Sequence, residues 1–407
     1  MISRSAHPLL RLLSRRRLRI CGVNTGTSID GLDLALVAIE DTRPQPRVRL
    51  LWSDHRPFPR PLARRLRQLA AETRLSKEDA ARADLALGNF IAGTVNSLAR
   101  QIATGRHNRS AIDLVASHGL SIGHWAGAKS HRAEIRHATQ QIGALNLIAQ
   151  RTGVVTIGDF RVADVAAGGM GAPLSGYYHH LMFGDAYVVL NLGGIANISA
   201  SRRRRGVLQI RAFDVGPGNM LIDALAQDLL KRPYDSGGRT ARRGRVIESI
   251  VQRALADPYF QGRPPKSCGR EEFGADFALR LFYRDGRPQA SPADCLATAV
   301  EITARAVADA VARWFTRYTA TRSLLISGGG ARNTALTGRI SELLPGWTLG
   351  TSEEIGIPVT HVEPVGFAVL AHETLRARYG NLGGATGGQP AILGLIALPG
   401  REQTVSA

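Results

Sequence analysis

Short apolar runs that end in polar, glycine-rich turns recur along the chain, and the period of the positions after each turn separates strands from helices. Residues 20–23 and 34–39 are apolar runs of strand length, joined by Asn24-Thr25-Gly26-Thr27-Ser28-Ile29-Asp30-Gly31-Leu32-Asp33. A hairpin with such a turn can cradle phosphate oxygens with backbone N–H groups and hydroxyls, and Asp30 can hold an accompanying cation through water. The turn lacks the Gly-Lys-Ser/Thr of a Walker loop and the spacing of a dinucleotide fingerprint, so by itself it also reads as a plain tight turn. Helical spacing predicts a long helix over 78–102. A strand over 112–116 ends in Ser117-His118-Gly119, with Ser121, His124 and Trp125 close behind: a sugar-contact loop, or the seat of a structural histidine. The strand over 154–157 delivers Gly158-Asp159-Phe160-Arg161 at its carboxyl end; 166–174 predicts a connecting loop and 177–182 a short helix.

The second half repeats the opening device. Residues 187–192 read as a strand, Gly193-Gly194-Ile195-Ala196-Asn197 as a glycine turn, and Ile198 starts the returning strand. A duplicated hairpin is more informative than either turn alone, because two of them can clamp the phosphates of one nucleotide. A strand over 207–212 then precedes Phe213-Asp214-Val215-Gly216-Pro217-Gly218-Asn219, with Asn219 the expected N-cap of a helix over 220–230. An Asp at the carboxyl end of a strand, before glycines that permit close approach, points into a crevice at the sheet edge; an Asp that caps a turn is the plainer alternative. Residues 234–238, a helix over 246–256 and Pro264-Pro265-Lys266-Ser267-Cys268-Gly269-Arg270-Glu271 interrupt the strand pattern, either as a carrier of substrate or dimer contacts or as a solvated insertion. An amphipathic helix over 295–318 feeds a strand over 323–327, which ends in Gly328-Gly329-Gly330-Ala331-Arg332-Asn333 before a helix over 334–344. Three glycines between strand and helix let a flat ring or ribose lie against backbone, as adenosine sites require. The last helix starts at Glu363-Pro364-Val365-Gly366-Phe367 and runs to Arg378.

Composition narrows the classes. With 407 residues, 44% of them hydrophobic, the chain can build two domains with real cores. No apolar run approaches the roughly 18–20 residues that cross a bilayer, so a soluble protein is expected. Its three cysteines, Cys21, Cys268 and Cys295, match neither a zinc site nor a disulfide framework and point to a cytoplasmic location. The arginine-rich segment 1–19 lacks a continuous apolar core and reads as an N-terminal extension. A net charge of +19 raises nucleic-acid binding, but the arginines are scattered, and their one dense run, 202–205, sits between strand-like segments as an exposed hairpin tip. Neither a nucleic acid nor a membrane is an expected partner.

The order of hairpin, strand-end cluster, second hairpin, Asp strand and three-glycine turn resembles the actin, sugar-kinase and heat-shock-chaperone ATPase superfamily. Within it, the motifs Gly26 to Asp33, Gly158-Asp159-Phe160-Arg161, Asn191-Leu192-Gly193-Gly194-Ile195-Ala196-Asn197, Asp214-Val215-Gly216-Pro217-Gly218-Asn219, Lys266 to Glu271 and Ser327 to Asn333 resemble those of the 1,6-anhydro-N-acetylmuramic acid kinase family over nearly all of 20–394. The resemblance implies an α/β, two-domain actin-like ATPase (ribonuclease H-like) fold with an interdomain cleft: domain I over 1–183, to which the C-terminal segment from about 364 returns, and domain II over 184–363. It implies ATP-dependent phosphorylation of the sugar 6-oxygen coupled to hydrolytic opening of the anhydro ring, giving N-acetylmuramic acid 6-phosphate in cell-wall recycling. Asp214 would be the base that deprotonates the attacking water, with Glu363 assisting or orienting the substrate. Gly26, Thr27, Ser28, Ile29, Asp30, Gly31, Leu32, Asp33, Gly193, Gly194 and Asn197 would hold the ATP phosphates and Mg²⁺, the metal through Asp30 and water. Gly328, Gly329, Gly330 and Asn333 would take the adenosine; His118, Asp159 and Arg161 would take the amino sugar. A homodimer is compatible with this reading.

The chain departs from the family's pattern at Leu120-Ser121, where Gln-Thr is usual, at Ala144 in place of Asp, at Thr360 in place of an acid, and at Pro364 in place of a small helix former. These positions surround the expected sugar pocket. They open a second reading, a non-catalytic or altered-specificity relative that binds sugar or nucleotide.

Overall fold

A computed structural model of the protein describes residues 7–26, 28–72, 76–104, 112–125 and 137–400, the side chains of Thr104, Arg270 and Glu271 apart. The chain divides into two compact units: Met1–Leu174 with Glu363–Leu382 and Gly388–Ala407, and Ser175–Val362 with Gly383–Gly387. The division falls at 174/175, so the helix expected to close domain I belongs with the second unit.

In chain order the first unit holds α1 (Pro8–Leu13), β1 (Arg17–Asn24), β2 (Gly31–Glu40), β3 (Arg47–Pro57), α2 (Arg60–Ala71), α3 (Lys77–Thr104), β4 (Leu114–Ser117), β5 (Leu120–Trp125), β6 (Ala138–Ile142), α4 (Leu145–Thr152), β7 (Thr156–Gly158) and α5 (Phe160–Ala166). Its main sheet has the order Leu395–Ala397, β7, β4, β1, β2, β3. β1, β2 and β3 form an antiparallel meander, and β4 and β7 run parallel to β1. β2 is a nearly unbroken apolar run because both of its faces are covered. Val23, Leu34 and Leu36 of the sheet pack with Leu66 and Leu69 of α2 and with Leu87, Ile91 and Val95, which recur at helical spacing along α3. β3 has no fully buried residue, and its arginines and histidine hide the strand from a hydrophobic reading. β5 and β6 pair as a separate two-stranded sheet where the pattern suggested only a loop.

The second unit holds α6 (Ser175–Phe183), β8 (Val188–Leu192), β9 (Ile195–Arg204), β10 (Val207–Pro217) and α7 (Asn219–Leu230), then the long helix Pro292–Trp314 and the strands Ser323–Ser327 and Thr348–Thr351. Its sheet order is β10, β9, β8, Ser323–Ser327, Thr348–Thr351: again a meander, with two strands laid parallel beside its first member. The duplication read from the two glycine hairpins thus extends to the topology of whole sheets. Both sheets are mixed and helix-covered, an α/β arrangement consistent with the actin-like ATPase superfamily. Ser291 caps the long helix by accepting from Asp294 N, Pro292 occupies its first turn, and Leu296, Val300 and Val307 pack into one core with Leu190, Ile198 and Phe213. The hairpin joining β9 and β10 turns at Arg205 and Gly206, so Arg203, Arg204 and Arg205 are exposed at its tip, whereas Arg202 lies half-buried within β9, donating to Gln209 Oε1 and lying over the Tyr318 ring. Among the described residues no helix is long and apolar enough to cross a membrane.

Candidate active site

In the first unit the candidate groups gather at the carboxyl ends of parallel strands, where α/β sheets bind ligands. β1 ends at Asn24, whose Nδ2 donates to Glu363 Oε2 at 2.7 Å. Gly22 admits the start of the helix Val362–Leu375 there, since a Cβ on Gly22 would stand 1.9 Å from the Pro364 carbonyl oxygen. Beyond Asn24 the loop exposes Ser28 and Asp30, joined by a 2.7 Å hydrogen bond from Ser28 Oγ. Ile29 between them lies in the left-handed region (φ 49°) with its side chain fully buried. That conformation strains a β-branched residue, and burial of the side chain is what holds it. Leu32 is likewise fully buried. Ile29 and Leu32 are therefore core anchors, and only their backbone can meet a nucleotide. Asp33 stands opposite Asn24 and pairs with His55 Nδ1 at 2.8 Å. Thr27 lies outside the described residues.

Three neighbouring strand ends carry buried polar atoms with no hydrogen-bond partner among the described residues: Thr25 Oγ1 after β1, Ser117 Oγ at the end of β4 and Asp159 Oδ1 after β7. Orphaned polar atoms are costly to bury, and this row fits a polar ligand. Asp159 is itself left-handed (φ 52°), and burial pushes its carboxyl pKa up. Arg161 Nε donates to His118 Nε2 at 3.0 Å, which puts the imidazole proton on Nδ1, 3.2 Å from the Gly119 carbonyl oxygen. Burial, aided by the Arg161 charge, holds the His118 pKa down to about 3. With both ring nitrogens engaged, His118 orients Arg161, which also donates to the Gly171 carbonyl at 2.7 Å.

In the second unit β10 continues to Pro217, so Asp214 lies within a strand rather than at its end. The ladder skips Val215, Asp214 facing Asn197 and Gly216 facing Ala196, and such a bulge re-aims the side chain beside it. Asp214 is 6% exposed. Its Oδ2 accepts from Ser267 Oγ at 2.6 Å and from the Cys268 amide at 3.1 Å. Its own amide donates to the Lys266 carbonyl at 3.0 Å, and Tyr259 Oη donates to its carbonyl at 2.6 Å. The Pro-Pro-Lys-Ser segment, read from sequence as a contact surface or a solvated insertion, thus braces the outer edge of β10. Across the sheet Asp214 is in register with Asn197, Asn197 with Asn191, and Asn191 with Ser327. Residues so paired share a face, giving a polar row over four strands. Ser327 Oγ, at its far end, is buried without a partner among the described residues.

The second glycine turn uses its carbonyls. Gly193 O accepts from Asn219 N at 2.8 Å, and Gly194 O accepts from Gly218 N at 2.8 Å and Met220 N at 3.0 Å. Because a trans peptide sets N–H opposite C=O, the N–H groups of Gly194 and Ile195 point away from α7. The N-cap of α7 is Gly218 rather than Asn219; Asn219 is the first helical residue, and its Nδ2 donates to Leu192 O at 2.9 Å. An asparagine that could cap was drawn one position inward because only glycine fits at 218, where a Cβ would lie 2.4 Å from Gly193 O. In the three-glycine turn, a Cβ on Gly328 (φ 81°) would stand 2.4 Å from Asn191 Oδ1 and one on Gly330 2.7 Å from Leu192 Cβ, whereas one on Gly329 meets nothing within 4 Å. The open face of the turn is at Gly329. Asn333 is the N-cap of the helix Thr334–Leu343, accepting from Leu336 N at 3.2 Å. Among the described residues no group of three His, Cys, Asp or Glu side chains could hold a metal.

A model of the family described as anhydro-N-acetylmuramic acid kinase matches residues 18–399. The chain belongs to this family. It is 39% identical over 385 residues to the anhydro-N-acetylmuramic acid kinase of Cupriavidus pinatubonensis, covering 93% of this chain and 98% of that one. The enzyme of Salinibacter ruber is 35% identical over 396 residues, 96% of this chain and 99% of its own. Against the pattern of the anhydro-N-acetylmuramic acid kinase family, the departures fall on structural positions. Leu120 is in the core of the first unit. Ala144, before α4, makes no side-chain cap, and Asp84 of α3 takes the Gly143 amide at 2.6 Å. Thr360 Oγ1 lies 3.0 Å from His361 Nδ1, and Pro364 is tolerated in a first helical turn. The sequence alone points to no role for Asn24 or Tyr259, nor for Ser267, although Ser267 lies within one of the family motifs. Nor does it point to Asp164, whose buried carboxylate accepts from Gly171 N at 2.7 Å and from Asn381 Nδ2 and so orders the glycine-rich loop. The local signal for Asn24 and Asp164 was a polar residue beside or within an apolar stretch, and Tyr259 and Ser267 had none.

Proposed function

We propose that this chain phosphorylates 1,6-anhydro-N-acetylmuramic acid with ATP while water opens the anhydro bridge, giving N-acetylmuramic acid 6-phosphate in peptidoglycan recycling. The observation that carries the reading is Asp214, a buried carboxylate beside a bulge and held at one oxygen by two donors. Asp214 takes a proton from the water that attacks the anomeric carbon; the bond from that carbon to O6 breaks, and O6 receives the γ-phosphoryl group. Glu363, held by Asn24, orients the sugar. The loop from Asn24 to Asp33 and the outward N–H groups of Gly194 and Ile195 receive the ATP phosphates, and the three-glycine turn receives the adenosine. Mg²⁺ accompanies the phosphates, with Asp30 reaching it through water, and neutralises charge on the transferred group. The setting of the reaction is the cytoplasm.

Leu120 packs in the core of the first unit, so the departure there acts on packing. Incubation with the anhydro sugar, ATP and Mg²⁺ in ¹⁸O-water tests the proposal. The expected result is one ADP per phosphosugar, with one heavy oxygen on the anomeric carbon. ADP formation no higher than without sugar overturns the activity, and an unlabelled product overturns the role of Asp214.

A further inference from the structure

The brace on Asp214 is built from a segment distant in sequence, and it contacts both the backbone and the carboxylate. β10 is an edge strand, and an edge amide needs a partner. Lys266 O supplies one to Asp214 N, Tyr259 Oη bonds the Asp214 carbonyl, and Ser267 and Cys268 put two donors on the same carboxylate oxygen. The brace is itself fixed: Tyr259 packs among Phe260 and Phe273, and Lys266 Nζ donates to Tyr259 O at 2.8 Å while lying 4.4 Å above its ring. Backbone contacts of this kind set where the strand runs. The Ser267 hydroxyl is a side-chain donor of the brace that meets the carboxylate directly.

We propose that Ser267 is the positioning residue of the reaction, holding the Asp214 carboxylate in one rotamer and in its ionised form. This rests on Asp214 being the base. A hydroxyl that donates to a carboxylate stabilises the charged state, so it lowers the pH at which the base becomes available. The titratable groups facing Asp214 include Tyr259, Cys268 and Lys266, and Glu272 acts in turn on Tyr259 and Cys268. Burial pushes the Tyr259 hydroxyl and the Cys268 thiol up, so both stay neutral, and it pulls the Lys266 ammonium down. Glu272 is exposed and accepts from Gly269 N at 2.7 Å.

The test is the pH profile of kcat for full-length Ser267→Ala, Ser267→Thr and, as a control for the neighbouring acid, Glu272→Gln. Ser267→Ala should lower kcat about tenfold and move the acid limb up by about one pH unit, with KM for ATP within about twofold of the parent. Ser267→Thr, which keeps the hydroxyl, should restore both, and Glu272→Gln should leave the limb in place. A limb in Ser267→Ala coincident with the parent's, or one moved equally in Ser267→Thr, overturns the proposal. Should Ser267→Ala fail to fold, the near-isosteric but weaker donor of Ser267→Cys must move the limb in the same direction, and an unmoved limb overturns the proposal equally. Asp214→Asn separates the two readings: if it retains turnover the base assignment fails, whereas a dead Asp214→Asn beside an unaltered Ser267→Ala removes only the role of Ser267.

Discussion

The two glycine hairpins occupy equivalent places in two sheets of the same strand order, yet they are built differently. The hairpin between β1 and β2 has a long loop whose polar side chains, Ser28 and Asp30, are turned outward by a strained, buried Ile29. The hairpin between β8 and β9 has a short glycine turn whose carbonyls are consumed by the first turn of α7. One offers side chains, the other backbone. The third strands diverge further: β3 is an exposed strand, whereas β10 carries a bulge, a buried Asp214 and an external brace. The two sheets are thus similar frames, and the second carries a further layer of hydrogen bonds around Asp214.

The largest test of this division is Asp214→Asn, which should lower turnover about a thousandfold while ATP affinity, measured by calorimetry, changes less than about twofold. A comparable loss of ATP affinity would mean that the third strand also belongs to nucleotide binding. Next, Gly218→Ala drives a Cβ to 2.4 Å from Gly193 O and should destabilise the protein by about 3 kcal/mol in denaturant melts, since neither backbone can give way without losing the cap of α7. If the second hairpin works through backbone, the same variant should also weaken ATP binding. Ser28→Ala makes the contrast: it removes the hydroxyl that orients Asp30, and should raise KM for ATP about threefold with an unchanged melting temperature. An equal loss of stability would show that the first loop, too, is structural.

The smallest effect concerns pH. Burial holds His118 in one unit and His179 in the other down to about 3, below the ordinary 6.5. A depressed pKa means that the unfolded chain binds the proton first, so each histidine's contribution is complete above 6.5 and drains away as the pH falls toward 3. By pH 5.5 each should account for about 1 kcal/mol of lost stability. Melting temperatures between pH 7 and 5 should therefore fall less steeply in His118→Gln than in the parent, and parallel slopes would show that His118 is accessible to protons.

The elements set by local chemistry were legible along the chain. Ser323–Ser327 and the start of α7 follow from an apolar run meeting glycine, and α3 from its four-residue repeat. Glycine turns announced both hairpins, because each needs backbone that other residues resist. Charged β3 was hidden, since a strand held by its neighbours' amides needs no apolar pattern of its own. Within the candidate site the sequence by itself determined which motifs carry polar and glycine residues, the one around Asp214 among them. Only the tertiary structure decided that Glu363 is held by Asn24, that His118 serves Arg161, and that Ser267 grips Asp214. Each of these joins residues distant along the chain through a few hydrogen bonds. Such pairings leave no period in the sequence, because they depend on where packed strands end and not on which residues stand side by side.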